Sequence, residues 1–362
     1  MSDVTKSAVE ALKPKVGDGF GDGTAKFVIE GEGAIMIDGS EVRAGDEEAD
    51  VTLTALLGKL VSGEPLSQME RVVLFDIRLP RLTMGLLVGA ALAVSGAAMQ
   101  GLFRNPLADP GIVGVGAGAG LGAILAIVLG ALLPAWMQEL TGDQLTPFAA
   151  FLGGWGSTLL LYRVSTRHGR TSVATMLLAG IALGALAGAL SGILVYIADD
   201  RQLRDLTFWG LGSLAGASWA KVFAAGPLIL LSIGATLMLG RGLNALALGE
   251  ATAAHIGINV QRMKNVAILA VAGAAGAAVA VSGGIGFIGI VVPHLLRLGS
   301  GPDHRTLLLN SALLGASLLI LADVIARVII APAELPIGIV TAVLGAPVFL
   351  WILLKRQGLI AP

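Results

Sequence analysis

Between Arg81 and Arg104 the chain runs through "LTMGLLVGAALAVSGAAMQGLF" without a charge, and comparable stretches recur up to Lys355. A spanning helix needs about 20 mainly apolar residues, and that test is met repeatedly, near residues 79–100, 112–133, 147–164, 173–197, 222–240, 265–282, 285–298, 307–330 and 337–354. Nine spans are therefore expected, the seventh short and broken by Pro293. The fold class is an all-α polytopic membrane protein. Composition agrees: 55% of residues are hydrophobic and only 14% charged, against about 25% charged in an average soluble domain.

Charge is divided unevenly along the chain. Residues 1–75 carry 14 Asp and Glu against 7 Lys and Arg, whereas 76–362 carry 11 against 17. An acidic head thus precedes a basic body. Cytoplasmic loops carry an excess of Lys and Arg. One alternating set of connections holds eleven basic residues, among them Arg104, Arg163, Arg167, Arg170, Arg241, Arg262, Lys264, Arg297 and Arg305; the other holds six, including Arg78, Arg81 and Arg327. The richer set is assigned to the cytoplasm, so Arg78, Arg81 and Arg327 face outward.

The spans are dense in small residues, as in "GVGAGAGLGA" (Gly114 to Ala123) and "AVAGAAGAAVAVSGG" (Ala270 to Gly284). In lipid such residues let helix backbones approach closely. The first run follows no strand and lacks dinucleotide-fingerprint spacing, so helix packing is its reading.

Residues 1–55 differ in kind. "AKFVIEGEGAIMID" (Ala25 to Asp38) and "EADVTLTA" (Glu48 to Ala55) alternate apolar and polar residues and read as strands joined by "GSEVRAGDE", after an amphipathic helix over Val4 to Leu12. A small soluble α+β segment, 1–55, is expected ahead of a membrane domain, 56–362. No signal peptide is read at the N-terminus.

Catalytic chemistry finds little support. Gly58-Lys59 is the only Gly-Lys pair and has no phosphate-loop context. The chain is not expected to be an enzyme, nor to carry a cofactor or a metal. There is no cysteine, and the four histidines, His168, His255, His294 and His304, form no H-x-x-x-H pair. Scattered basic residues argue against nucleic acid. Charges inside spans default to functional candidates: Asp323 and Arg327, four apart, form either an intrahelical pair or a functional group at the outer end. In the longest cytoplasmic connection, "ALGEATAAHIGI" has helical spacing with Gly249, Ala253, Ala254 and Gly257 on one side beside a single acid, Glu250. That pattern offers a socket edge for another protein.

Several stretches in one order carry a resemblance: "DIRLPRL", "GLFRNPLADPGIVGVGAGAGLGA", "LALGEATAAHIGI", "GGIGFIGIVVPHLLRL", "DHRTLL" and "AELPIGIVTAVLGAPVFLWILLK". From about Leu56 to Lys355 the chain resembles the permeases of ABC importers for cobalamin, ferric siderophores and haem. "RQLRDLTFWGLGSLAGASW" (Arg201 to Trp219) is most similar to haem permeases. The resemblance implies a homodimer in the bacterial inner membrane, each copy with ten spans, seated on two ATPase subunits and fed by a periplasmic binding protein. It implies that Gly249, Glu250, Ala254 and Gly257 belong to a coupling helix on the ATPase. It further implies that Arg78, Arg81 and Arg327 pair with carboxylates on the binding protein, and that Thr171 and Ser172 lie near a cytoplasmic gate. Met99 and Tyr196 are the nearest outer-half candidates for haem contact, with helix packing the plainer role for each.

The family's first helix has no counterpart before "LTALLGKLVSG". In its place Met1 to Ala55 resembles the N-terminal half of sterol carrier protein 2-like domains, which suggests a fusion. A membrane-anchored lipid-binding protein is the competing reading.

Overall fold

The computed structural model describes residues 24–29, 33–38, 41–44, 58–59, 62–63 and 65–357, apart from 168–169 and 332. The chain falls into two compact units, Met1–Pro80 and Arg81–Pro362.

In the first unit β1 (Thr24–Ile29), β2 (Gly33–Asp38) and β3 (Glu41–Ala44) form an antiparallel meander, with Phe27 opposite Ile35 and Ile37 opposite Val42. The stretch Ala25 to Asp38 is therefore a hairpin, β1 pairing with β2 from Thr24 opposite Asp38 to Ile29 opposite Gly33. The third strand lies in the segment expected to connect strands. The expected strand at 48–55 and the helix at 4–12 lie outside the described residues. Next comes α1 (Gln68–Arg71), where the Ser67 hydroxyl accepts the Glu70 amide at 3.2 Å and Glu70 Oε2 accepts the Ser67 amide at 2.8 Å, a reciprocal cap. The Lys59 ammonium, 2.7 Å from Glu70 Oε1, holds that carboxyl below its usual range. A π-helical stretch, Val72–Arg78, leads into α2 (Leu79–Phe103).

The second unit is helical: α3 (Val115–Leu129), α4 (Ala135–Thr141), α5 (Leu145–Ser165), α6 (Val173–Ile197), α7 (Asp200–Leu211), α8 (Trp219–Leu237), α9 (Gly240–Ala247), α10 (Glu250–His255), α11 (Val260–Ser282), α12 (Ile288–Ser300), α13 (His304–Val328) and α14 (Ile337–Gln357). A two-residue hairpin, β4 (Thr166–Arg167) with β5 (Arg170–Thr171), joins α5 to α6. Every expected span contains a helix. Among the described residues, however, six are long and apolar enough to cross a membrane: those built on α2, α3, α6, α8, α11 and α13. Two more, Ile288–Ser300 and Ile337–Trp351, are shorter apolar helices. The remaining helix, α5, has 21 residues, but "GGWGST" at its centre dilutes its hydropathy.

Several boundaries moved for local reasons. Asp109 caps a 3-10 turn, Pro110–Val113, and Gly114 at φ 78° resets the chain before α3. The connection expected after Leu239 is filled by α9 and α10, and α11 begins at Val260 rather than 265. Between Tyr196 and Trp219, α7 starts at a capping box in which Asp199 accepts the Gln202 amide.

The small-residue runs are where backbones meet. A Cβ on Gly96 would land inside the Gly289 carbonyl, and one on Gly89 inside that of Gly315, so α2 lies backbone to backbone against α12 and α13. Gly118 of α3 and Gly153 of α5 exclude each other's Cβ in the same way. Gly96→Ala is expected to destabilise the detergent-solubilised protein by about 1–3 kcal/mol through overpacking. Gly116→Ala, whose Cβ meets open space, should leave its thermal unfolding unchanged.

Candidate functional site: the two ends of the helical unit

At one end, the first turn of α2 meets the last turns of α13. Arg81 Nε lies 3.0 and 3.1 Å from the two oxygens of Asp323, and its Nη2 lies 2.8 Å from Oδ1. Its remaining arm, Nη1, reaches Glu334 Oε1 at 2.9 Å. Arg327 places Nε 3.2 Å from Asp323 Oδ2, one turn along its own helix. The intrahelical pair expected at 323 and 327 is thus present. Its carboxylate is shared with an arginine 242 positions away, which spacing alone did not reveal. Fork-shaped guanidinium groups make such bidentate pairs strong and directional.

Two of the expected outward arginines therefore differ in availability. The Arg81 side chain is 13% exposed and engaged on both sides, whereas Arg327 is 39% exposed. Arg78, half-buried, closes the π-helical stretch of the first unit.

At the opposite end stands α10, little more than one turn. Gly249 enters it at φ 113° and Gly257 leaves it at φ 87°, backbone angles that side chains rarely tolerate. Ala253 is buried, while Leu248, Ala254, Ile256 and Gly257 face outward. Exposed apolar and small residues around one acid make a surface that a protein partner can cover.

Glu250 and Thr171, read separately from the sequence, are brought together by Lys264. This lysine, 3% exposed, sets its Nζ 2.7 Å from Glu250 Oε1 and donates to the Thr171 carbonyl at 3.1 Å. Gln261, one turn earlier on α11, accepts the Thr171 amide at 3.2 Å and donates to the Thr171 hydroxyl at 2.8 Å. Asn265 Oδ1 accepts from Gln261 at 2.8 Å and from the Tyr162 hydroxyl of α5 at 2.6 Å. Ser172 caps α6 by accepting the Thr175 amide at 3.3 Å. Sequence reading missed Lys264, Gln261, Asn265 and Tyr162. The signal was a lysine set directly before the apolar run "NVAILAVAG", where an ammonium persists only with a partner.

Other candidates go elsewhere. Met99 is fully buried in the core, and Tyr196 is 90% exposed. His168 lies outside the described residues. No group of three or more metal-ligating side chains occurs among the described residues.

Asp323→Ala would leave the Arg81 guanidinium largely buried beside a single, half-exposed acid. A loss of about 3 kcal/mol is expected in detergent unfolding, in line with breaking a buried pair. Glu334→Gln, at a 39% exposed side chain, should cost less than about 1 kcal/mol.

Comparison with known proteins aligns most of this architecture. The profile of the FecCD transport family matches residues 45–355. A hemin transport system permease protein, HmuU of Yersinia pestis, is 47% identical over 78% of this chain and 83% of its own. A vitamin B12 import system permease protein, BtuC of Escherichia coli, is 46% identical over 84% of this chain and 92% of its own. A solved structure of a metal-chelate type ABC transporter in an inward-facing conformation superposes with a TM-score of 0.72 at 32% identity, covering 84% of this chain and all of that one. The matched family begins ten residues before the expected boundary at 55.

Proposed function

The chain belongs to the FecCD transport family, and from its role as the permease component of an ABC importer for haem, cobalamin or another chelate we propose that its cargo is haem or another iron chelate. It is a multi-pass membrane protein and a transport component rather than an enzyme, working with an ATPase and a substrate-binding protein. The observation that carries the cargo assignment is the likeness to the hemin permease. Uptake of haem, a ferric siderophore and cobalamin is to be compared in proteoliposomes holding the permease, its ATPase and its binding protein. Haem or ferric-siderophore uptake is expected; uptake of cobalamin alone would overturn the assignment.

The finer assembly belongs to the same proposal. Two copies of the chain sit on two ATPase subunits, where ATP hydrolysis takes place, in a bacterial inner membrane. The permease domain spans 56–362, with 1–55 a separate segment. A paired arrangement is supported by α6, in whose most apolar 18-residue window only 11% of the residues are buried within one chain. The surface of Gly249, Glu250, Ala254 and Gly257 takes the ATPase. Thr171 and Ser172 form part of the cytoplasmic gate. Arg78, Arg81 and Arg327 receive the binding protein, and the half-buried arginines orient it while Asp323 holds two of them in place.

Arg327→Glu is expected to slow binding-protein association several-fold at low salt, with the difference shrinking as salt rises, because rim charges act on encounter and are screened. Surface plasmon resonance on nanodisc-held importer across a salt series checks this; equal rates at low salt would remove Arg327 from the dock.

A further inference from the structure

We infer that Lys264 is a positioning residue that ties α10 to the start of α6, so that a displacement of α10 imposed by the ATPase is delivered to the gate. The inference rests on the reading of α10 as the ATPase contact. Three observations support it. First, one ammonium holds two otherwise separate segments: Glu250 of α10 at 2.7 Å and the Thr171 carbonyl at 3.1 Å. Second, the backbone and hydroxyl groups of Thr171 are all engaged, the amide and hydroxyl by Gln261 and the carbonyl by Lys264, and its hydroxyl also lies 2.9 Å from that of Thr166. Thr171 therefore cannot move independently of α11. Third, the next residue, Ser172, is the cap of α6.

The arrangement is asymmetric in a way that suits transmission. Lys264 is 3% exposed, whereas the Glu250 side chain is 52% exposed. A buried ammonium gives up its carboxylate only at high cost, so Lys264 follows Glu250 rather than releasing it to water. The half-exposed acid remains reachable by a cationic group of a partner. Such a group shifts the balance at Glu250, and the shift is felt at Thr171 through the same nitrogen. Thr171 is buried and its hydrogen bonds run to Gln261, Lys264 and Thr166, so the link runs inward from the contact.

The chain has no cysteine, so a single reporter thiol needs no background removal. Ala174→Cys places one in the first turn of α6, at an exposed position beside the Ser172 cap. Its maleimide labelling rate is measured in nanodiscs with the ATPase bound, with and without ATP and vanadate. In the otherwise unchanged permease, nucleotide trapping should alter the rate about fivefold or more, as for a typical allosteric coupling. Lys264→Met should bind the ATPase yet lose most of this response, and Lys264→Arg, which keeps the charge, should restore it. A full response in Lys264→Met, or none in the parent, overturns the inference. Should Lys264→Met fail to assemble, Gln261→Leu releases the Thr171 amide and hydroxyl while leaving the ammonium in place. An undiminished response there overturns it equally. Failure of the underlying reading is seen separately: ATPase binding that survives both Glu250→Arg and Ile256→Asp would remove α10 from the ATPase contact.

Discussion

Helices in lipid gain little from hiding apolar surface from one another, because the surrounding chains are as apolar as they are; close packing has to supply the attraction. In this permease that packing is achieved at glycine, where α2 meets α12 at Gly96 and Gly289 and meets α13 at Gly89 and Gly315. Contacts of this kind are short and unforgiving, so they set helix positions more tightly than interdigitated leucines would. The polar groups use that precision. Gln100, one turn beyond Gly96, donates to the Gly289 carbonyl at 3.2 Å. Arg81, two turns before Gly89, reaches Asp323, about two turns after Gly315.

Both deeply placed cations follow one rule. Arg81 is paired with an acid 242 positions away and Lys264 with an acid on the preceding helix, and each has its guanidinium or ammonium divided between two acceptors. A charge in such a place is costly without a partner. The pairs therefore act as registers that make only one relative placement of two elements favourable. One register lies at each end of the second unit, joining α2 to α13 and α10 to α11.

Much of this was legible because hydropathy over 20 residues is a strong signal and glycine-rich runs in a span have few other uses. The nine helices at the expected places show that. What failed to show depended on tertiary partners. Nothing local marks Arg81 as bound to Asp323, and α10 and the Thr171 loop looked like two features until Lys264 joined them. The short helices α7 and α9 were missed because polar residues such as Arg201, Asp205 and Asn244 mask helical periodicity with loop-like composition. The strand boundary inside Ala25–Asp38 was missed because the alternation of the sequence continues across it. The six helices that qualify as spans, against nine expected, reflect α12 and α14, whose apolar stretches run over fewer than 18 residues, and α5, whose hydropathy is diluted by "GGWGST" at its centre.

The cluster of Arg81, Arg327, Asp323 and Glu334 has a further property as a whole: its formal charges cancel. Beyond a Debye length, about 8 Å at physiological ionic strength, it projects almost no field, however many arginines it contains. An approaching protein cannot be drawn to it from afar and must already be nearly seated before it distinguishes one guanidinium from its neighbouring acid. On the proposal that it receives the binding protein, the cluster tests fit at close range: a misaligned partner, feeling as much repulsion as attraction, has no reason to linger.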